Sequence, residues 1–331
     1  MKRSKYLKNS LFLQVTNVCN LNCTFCSEGK MCITQPFFEN EKFVEKLARD
    51  FKQLGGKRIV LTGGEPTLHM GLWRMVNKIL SLGLMVKIDT NGTVLFKNCK
   101  KISSATSTNI QCSLEGGQKQ TDRIRGKNVF SRATENLGKY VRAGFLCNIK
   151  LTLVPTTCRQ DIEILAEISR DLGLSKLKLG IVKYVGGAEG KSFRFETKKF
   201  FGLLKCISDI QRKFDIEIEL CDYVPFFPRL KEHYAKACKG IHNYFIFING
   251  VVVPCRFLDN IILGNVKKES LIDIFKRGSV LDKWKPSRKC KKCRYLNYCG
   301  GGCRYRALKY KDISSPDPAC FYSCRTKYLP L

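Results

Sequence analysis

The chain has 331 residues, of which 44% are hydrophobic, and it carries 18 cysteines and a formal net charge of +31. That length exceeds one domain of about 100–200 residues, and the apolar fraction suffices for a packed core, which excludes a disordered tail. No run approaches the ~20 apolar residues of a membrane span, and the apolar run at 11–15, behind a basic N-terminus, is too short for a secretory signal. A cytoplasmic, thiol-reducing setting is therefore expected, where so many cysteines serve metal binding or catalysis rather than disulfides. The charge would suit a polyanion such as an acidic peptide or RNA. The basic residues are spread along the whole chain, which favours solvated faces, so nucleic acid and membrane are not expected as partners.

Apolar runs at 11–15, 58–61, 85–88, 109–114, 146–154 and 177–182 predict strands, and 41–54, 72–82, 130–143 and 161–172 predict helices between them. In the first helix Phe43, Leu47, Phe51 and Leu54 share one face. Gly55, Gly83, Gly144 and Gly173 stand where helix C-caps belong. This alternation predicts an α/β fold with a parallel sheet and right-handed crossovers. Six units make an open, partial (β/α)6 barrel, whose functional residues sit at the carboxyl ends of the strands. After about residue 190 the rhythm changes, with one helix predicted at 198–214 and a short strand at 216–220. From Cys238 onward lie 8 of the 18 cysteines. There 244–254 reads as a β-hairpin turning at Asn249 and Gly250, and 270–276 as a short helix. The expected division is a core at 8–195, a bridging region at 196–236 and a small cysteine-rich α+β domain at 237–331.

Cys19, Cys23 and Cys26 form C-x3-C-x2-C in the loop after the first predicted strand. Three soft thiolates this close can grip three irons of a four-iron cluster and leave one iron to accept a substrate. A structural zinc site wants four ligands, usually in paired C-x2-C knuckles, and no fourth cysteine or histidine stands at natural spacing; Cys32 is near but poorly spaced.

The run from Cys19 to Cys26, with Phe25 before the third cysteine, resembles the signature of the radical S-adenosylmethionine (SAM) superfamily. Gly63-Gly64-Glu65-Pro66 after the second strand is similar to the family's GGEP motif. Thr90-Asn91-Gly92 and Ser113-Leu114-Glu115-Gly116 look like family loops at the ends of the third and fourth strands, and Arg123-Ile124-Arg125-Gly126 matches a further family run. The resemblance implies that the GGEP loop and Glu65 meet the amino group of SAM, that Asn91, Ser113 and Glu115 line its site, with Ser113 and Glu115 near the ribose or carboxylate, and that Arg125 pairs with the carboxylate. It implies a four-iron four-sulfur cluster with SAM on its open iron, and reductive cleavage of SAM to a 5′-deoxyadenosyl radical.

Further on, Cys238 and Cys255 precede the C-x2-C-x5-C-x3-C spacing of Cys290, Cys293, Cys299 and Cys303, and Cys320 follows. This looks like the SPASM domain, the auxiliary-cluster module of many peptide-modifying members of the superfamily. The resemblance implies an outer cluster on Cys290, Cys293, Cys299 and Cys320, and an inner one on Cys238, Cys255 and Cys303. Cys221 is the candidate for the inner cluster's fourth ligand, an open iron being the rival, and Cys324 is spare. A zinc ribbon is the alternative that C-x2-C spacing permits. Lys285, Arg288, Lys289, Lys291, Lys292 and Arg294 surround Cys290 and Cys293, where cations lower the cost of holding a negatively charged cluster. Cys32, Cys99, Cys112, Cys147, Cys158 and Cys206 are expected to be small buried apolar residues.

Family members of this kind include peptide maturases, anaerobic sulfatase maturases, enzymes of quinone-type cofactor assembly and haem-pathway decarboxylases. Sulfatase maturases carry an Asp directly after the cysteine equivalent to Cys255; here Arg256 stands there and Asp259 is off-register. With 18 residues before Cys19, a leader-binding domain is expected on a separate protein. A ribosomally made peptide or protein is the expected substrate, and a reductant such as flavodoxin or ferredoxin the expected electron source. The alternatives are a small molecule of cofactor or haem biosynthesis, and a non-catalytic iron–sulfur electron carrier.

Overall fold

The computed structural model describes residues 10–28, 41–189, 194–221, 224–234, 244–277, 285–323 and 326–329. Strands β1 (Ser10–Thr16), β2 (Arg58–Gly63), β3 (Met85–Thr90), β4 (Thr108–Ser113), β5 (Leu146–Leu153), β6 (Leu177–Ile181) and β7 (Ile218–Leu220) run parallel and in sequence order. Helices α1 (Glu41–Gln53), α2 (Leu72–Ser81), α3 (Gln118–Arg125), α4 (Val129–Arg142), α5 (Arg159–Asp171), α6 (Thr197–Lys205) and α7 (Ile207–Phe214) fall between them. The six expected βα units are therefore present, and β7 adds a short seventh strand beside β6.

Alternation along each strand separates two environments. Ile59 and Leu61, Val86 and Ile88, Ile149 and Leu151, and Leu177 and Leu179 face the helices and are all essentially buried in one core. The intervening residues, among them Lys87, Asp89, Gln111, Lys150 and Lys178, line the hollow of the barrel. All four helix-closing glycines, Gly55, Gly83, Gly144 and Gly173, adopt positive φ.

The predicted hairpin forms from β8 (Phe245–Ile246) and β9 (Val251–Val253), turning through Gly250, and β10 (Gly264–Asn265) pairs with β9. It is not a separate sheet. β8 lies parallel to β1, so the order is β10-β9-β8-β1-β2-β3-β4-β5-β6-β7. The remaining short helices are α8 (Leu271–Lys276), capped by Ser270, α9 (Arg288–Lys291), α10 (Leu296–Cys299) and α11 (Arg304–Tyr310).

Three expectations need correction. The single helix at 198–214 is two, α6 and α7, broken at Cys206, whose amide turns back to Leu203 O three residues away. Helix α3 was not expected, because its eight residues carry one apolar side chain, Ile124. Cys158 is exposed rather than core: it caps α5, with its thiol 3.3 Å from Asp161 Oδ2. Cys112 and Cys147 are buried as expected, Cys99 and Cys206 half-buried, and Cys32 lies outside the described residues. Among the described residues no helix is long and apolar enough to cross a membrane.

Phe51, fully buried on the inner face of α1, gives a check of this core. Phe51→Ala is expected to cost about 3–5 kcal/mol, read as a lowered denaturation midpoint. An unchanged midpoint would contradict the packing.

Candidate functional site

The cysteine loop leaves the carboxyl end of β1 and is tied down from three sides. Thr16 O accepts from Gly64 N (2.8 Å) and Val18 O from Glu65 N (2.7 Å), joining it to the loop after β2. A side-chain carbon on Gly63 would stand 2.2 Å from Thr16 O, so only glycine permits this approach. Thr24 N donates to Ile124 O of α3 (3.0 Å), and Gly187 N, after β6, donates to Cys26 O (2.7 Å).

Cys19, Cys23, Phe25 and Cys26 form one side of a pocket of about 240 Å³, with Gly63, Gly64, Glu65, Asn91, Ser113 and Arg125 around it. Pro66 is buried behind Glu65 at the start of a 3₁₀ turn. Thr62, Gln111, Lys150 and Thr152 also line the pocket. No motif marks them; the signal that finds them is their inward parity on β2, β4 and β5.

Glu65 is 1% exposed and held by four donors. Thr67 N (3.0 Å), Thr67 Oγ1 (2.6 Å) and Thr90 Oγ1 (2.7 Å) bind one oxygen, and Asn91 N (2.7 Å) the other. Burial nevertheless raises its carboxyl above the ordinary range, against those bonds. A ligand ammonium would supply the charge that burial withholds. Asn91 Nδ2 reaches Asn20 Oδ1 (2.9 Å), so the end of β3 also grips the cysteine loop.

Glu115 is not among the residues that line this pocket. It is fully buried behind the pocket wall, where Oε1 accepts from Arg125 Nε (2.8 Å) and Oε2 from Thr152 N (2.8 Å). Its carboxylate orients Arg125 from behind the pocket wall. Burial works against the charge on Arg125, and Glu115 and Cys23 more than offset it, so the guanidinium stays protonated. Arg125 Nη1 stands 3.9 Å from Cys23 Sγ and its guanidinium lies over the Phe25 ring.

The donor set fits a thiolate-bound cluster. Burial above all, with the charges of Glu65, Cys23 and Cys26, pushes the Cys19 thiol up to about 11 against the hydrogen bond from Leu21 N. These thiols become thiolates only beside a cation, which bound iron supplies. Among the described residues no three His, Cys, Asp or Glu side chains gather around a single ion.

A second cavity of about 390 Å³ shares Thr62, Asp89, Gln111 and Lys150 with the first, and Cys221, Cys255 and Cys303 lie in its wall. Cys238 and Cys324 fall outside the described residues. Cys293 N donates to Cys290 O (3.0 Å). Burial pushes the Cys299 thiol up to about 12, and the charges of Cys320 and Cys290 reach it, so these cysteines share one neighbourhood. Burial also opposes the Cys303 thiolate, but Lys183 and Arg306 outweigh it and lower that thiol. Lys183 Nζ is 3.7 Å from Cys303 Sγ. Asp317 holds the segment together: it accepts from Cys303 N (2.7 Å) and pairs with buried Arg306 through Nε (2.8 Å) and Nη2 (2.5 Å). Arg256, next to Cys255, pairs with Glu28, close after Cys26.

The sequence model of the radical SAM superfamily matches residues 13–168, and that of an iron–sulfur cluster-binding domain, SPASM, matches 238–303. The chain is 27% identical over 339 residues to a PqqA peptide cyclase of Rhizobium meliloti (strain 1021), covering 95% of this chain and 87% of that protein. It is 25% identical over 348 residues to an AdoMet-dependent heme synthase of Methanosarcina barkeri, covering 93% and 95%. Among solved structures, Streptococcus suis SuiB bound to precursor peptide SuiA superposes with a TM-score of 0.78 at 19% identity, over 96% of this chain and 76% of that one. The structure of anSMEcpe with AdoMet and the Cp18Cys peptide gives 0.73 at 20% identity, over 96% and 93%. The chain belongs to the radical SAM superfamily and carries a C-terminal SPASM domain. It is an enzyme whose cofactors are SAM, the four-iron four-sulfur cluster that binds it, and one or two auxiliary clusters.

Asp317→Ala would strand the buried Arg306 charge and free the Cys303 amide. Losing one partner of a buried pair costs about 3–5 kcal/mol. The variant is expected to melt earlier and to retain less iron after anaerobic reconstitution; wild-type values in both would refute the role.

Proposed function

We propose that this enzyme modifies a side chain of a ribosomally made peptide or protein. The observation that carries the reading is the second cavity, which continues from the pocket beside Cys19, Cys23 and Cys26 to Cys221, Cys255 and Cys303. A side chain entering it stands between two sets of thiols. The likeness to a PqqA peptide cyclase supports a peptide. The comparable likeness to a heme synthase keeps a small-molecule substrate as the second reading.

In this reading Cys19, Cys23 and Cys26 hold the first cluster. Glu65 accepts the SAM ammonium, Gly63 and Gly64 let the backbone approach it, Pro66 fixes the turn, and Phe25, Asn91 and Ser113 close the pocket. Arg125, held by Glu115, faces the cluster thiolates and the SAM carboxylate. When bound, cluster and SAM supply a 5′-deoxyadenosyl radical that takes a hydrogen atom from substrate. The protein fixes the geometry and keeps water from that radical. Cys290, Cys293, Cys299 and Cys320 hold the outer auxiliary cluster, and Cys238, Cys255, Cys303 and Cys221 the inner one. The domain division at 8–195, 196–236 and 237–331 assigns the two kinds of cluster to the first and last parts. The electron comes from a reductant such as flavodoxin or ferredoxin.

The test is mass spectrometry of a short peptide encoded beside the gene, incubated anaerobically with reconstituted enzyme, SAM and reductant. A mass change that Cys23→Ala abolishes, together with 5′-deoxyadenosine formation, is the expected result. Turnover of a porphyrin precursor with an unchanged peptide would assign the second reading. Cys221→Ala is expected to alter the paramagnetic spectrum of the inner cluster while sparing SAM cleavage. An unchanged spectrum would remove Cys221 from the ligand set.

A further inference from the structure

The second cavity has a charge pattern that the cluster ligands do not explain. Among the described residues its barrel wall carries four cations, Arg58, Lys87, Lys150 and Lys178, and two carboxylates, Asp89 and Glu219. Lys150 and Lys178 are register partners on adjacent strands β5 and β6, and Glu219 of β7 is the next partner of Lys178. Lys87 projects from β3 and is 8% exposed. Burial opposes its charge, Asp89 supports it, and the ammonium groups of Lys178 and Lys150 oppose it further, so three lysines from three strands share one neighbourhood.

The two carboxylates are heavily used. Asp89 Oδ1 takes both Lys87 Nζ (2.9 Å) and Gln111 Nε2 (2.9 Å). Glu219 takes Lys176 (3.0 Å) as well as Lys178 (3.5 Å). The other cations of the wall have separate work. Arg256 pairs with Glu28, and Arg304 donates to the carbonyls of Ile313 and Ser315, both at 2.8 Å. The Cys303 thiolate is met by Lys183 and Arg306. Like charges crowded in one hollow oppose one another's ionisation, and an anion among them would relieve that repulsion.

We infer that the barrel wall of this cavity, around Lys87, Lys150 and Lys178, is a carboxylate-binding subsite that receives an acidic group of the substrate. It rests on the peptide reading for the carrier of that group, an Asp or Glu side chain at or beside the modified residue. The chemistry recognised is the carboxylate, whichever molecule bears it. Its place next to Cys255 and Cys303, and in the same hollow as Lys150 of the first pocket, puts the substrate's acidic group within the site.

The test uses the full reconstituted protein with SAM, immobilised anaerobically, and a random dodecapeptide library. Captured peptides are expected to carry Asp or Glu at one fixed position, enriched about tenfold or more, within reach of one charge-assisted hydrogen bond. Lys178→Gln and, separately, Lys87→Gln should remove that enrichment. Lys46→Glu with Lys198→Glu, on the exposed surface of α1 and α6, should keep it, which excludes capture by net charge alone. Enrichment that survives both cavity variants, or that vanishes only with the surface variant, overturns the subsite. Calorimetry with propane-1,2,3-tricarboxylate separates the two readings. If the library yields no peptide but the tricarboxylate binds wild type and not Lys178→Gln, the subsite stands and the peptide reading falls. If neither binds, the subsite falls.

Discussion

The parallel pairing of β8 with β1 is the constraint on which the rest of the site depends. Strand β1 delivers the first three cysteines at its carboxyl end, and Phe12 N binds Tyr244 O (2.9 Å) just ahead of β8. The hairpin then folds back through β9 and brings Cys255 to the same cavity. A short parallel ladder has little strength alone. Here it is backed by Phe12 stacked near Phe245, by Gln14 Oε1 accepting from Ile248 N (3.1 Å), and by the Arg256–Glu28 pair at the top. The two cysteine-bearing regions are thus set relative to one another by the sheet.

Buried charge in the site follows one rule at its edges and another at its centre. At the edges, Arg125 meets Glu115 and Arg306 meets Asp317, each pair closed by further backbone donors. These groups are expensive to bury and well satisfied, so they fix orientation. At the centre, Lys87 and Lys178 share acids already engaged by Gln111 and Lys176. Rigid, paired charges thus surround a hollow in which, among the described residues, lysines from three strands meet.

Much of the fold was legible because β1 to β6 and their helices alternate in period and are punctuated by glycine. The motifs marked the strand ends for the same reason: glycine, carboxylate and cysteine occur there where no packing need explains them. What escaped has physical causes. Phe200, Leu204, Ile207, Ile210 and Phe214 keep helical spacing across Cys206, so the break between α6 and α7 leaves no trace in the pattern. The union of β8 with β1 joins residues more than two hundred positions apart, and no local rule reports such a partner. Glu115 carried a family expectation of ligand contact, yet its carboxylate is spent on Arg125 and Thr152, a choice only the packed structure reveals. The barrel lysines were lost among the many basic residues of the chain, since composition does not say which of them face inward.

Between Cys299 and Cys303, Gly300, Gly301 and Gly302 all take left-handed φ, at 61°, 87° and 83°. A side-chain carbon on Gly302 would stand 2.3 Å from Asp317. Three successive glycines are the loosest stretch a chain can offer before folding, and the ordered form gives up all of that freedom. The apolar contacts beside it are few, with Leu258 the buried centre of the small cluster nearby. The order of this corner is therefore drawn from what its flanking cysteines and Asp317 hold. With Cys299 and Cys303 as the cluster ligands proposed above, loading of iron and ordering of this turn would be coupled.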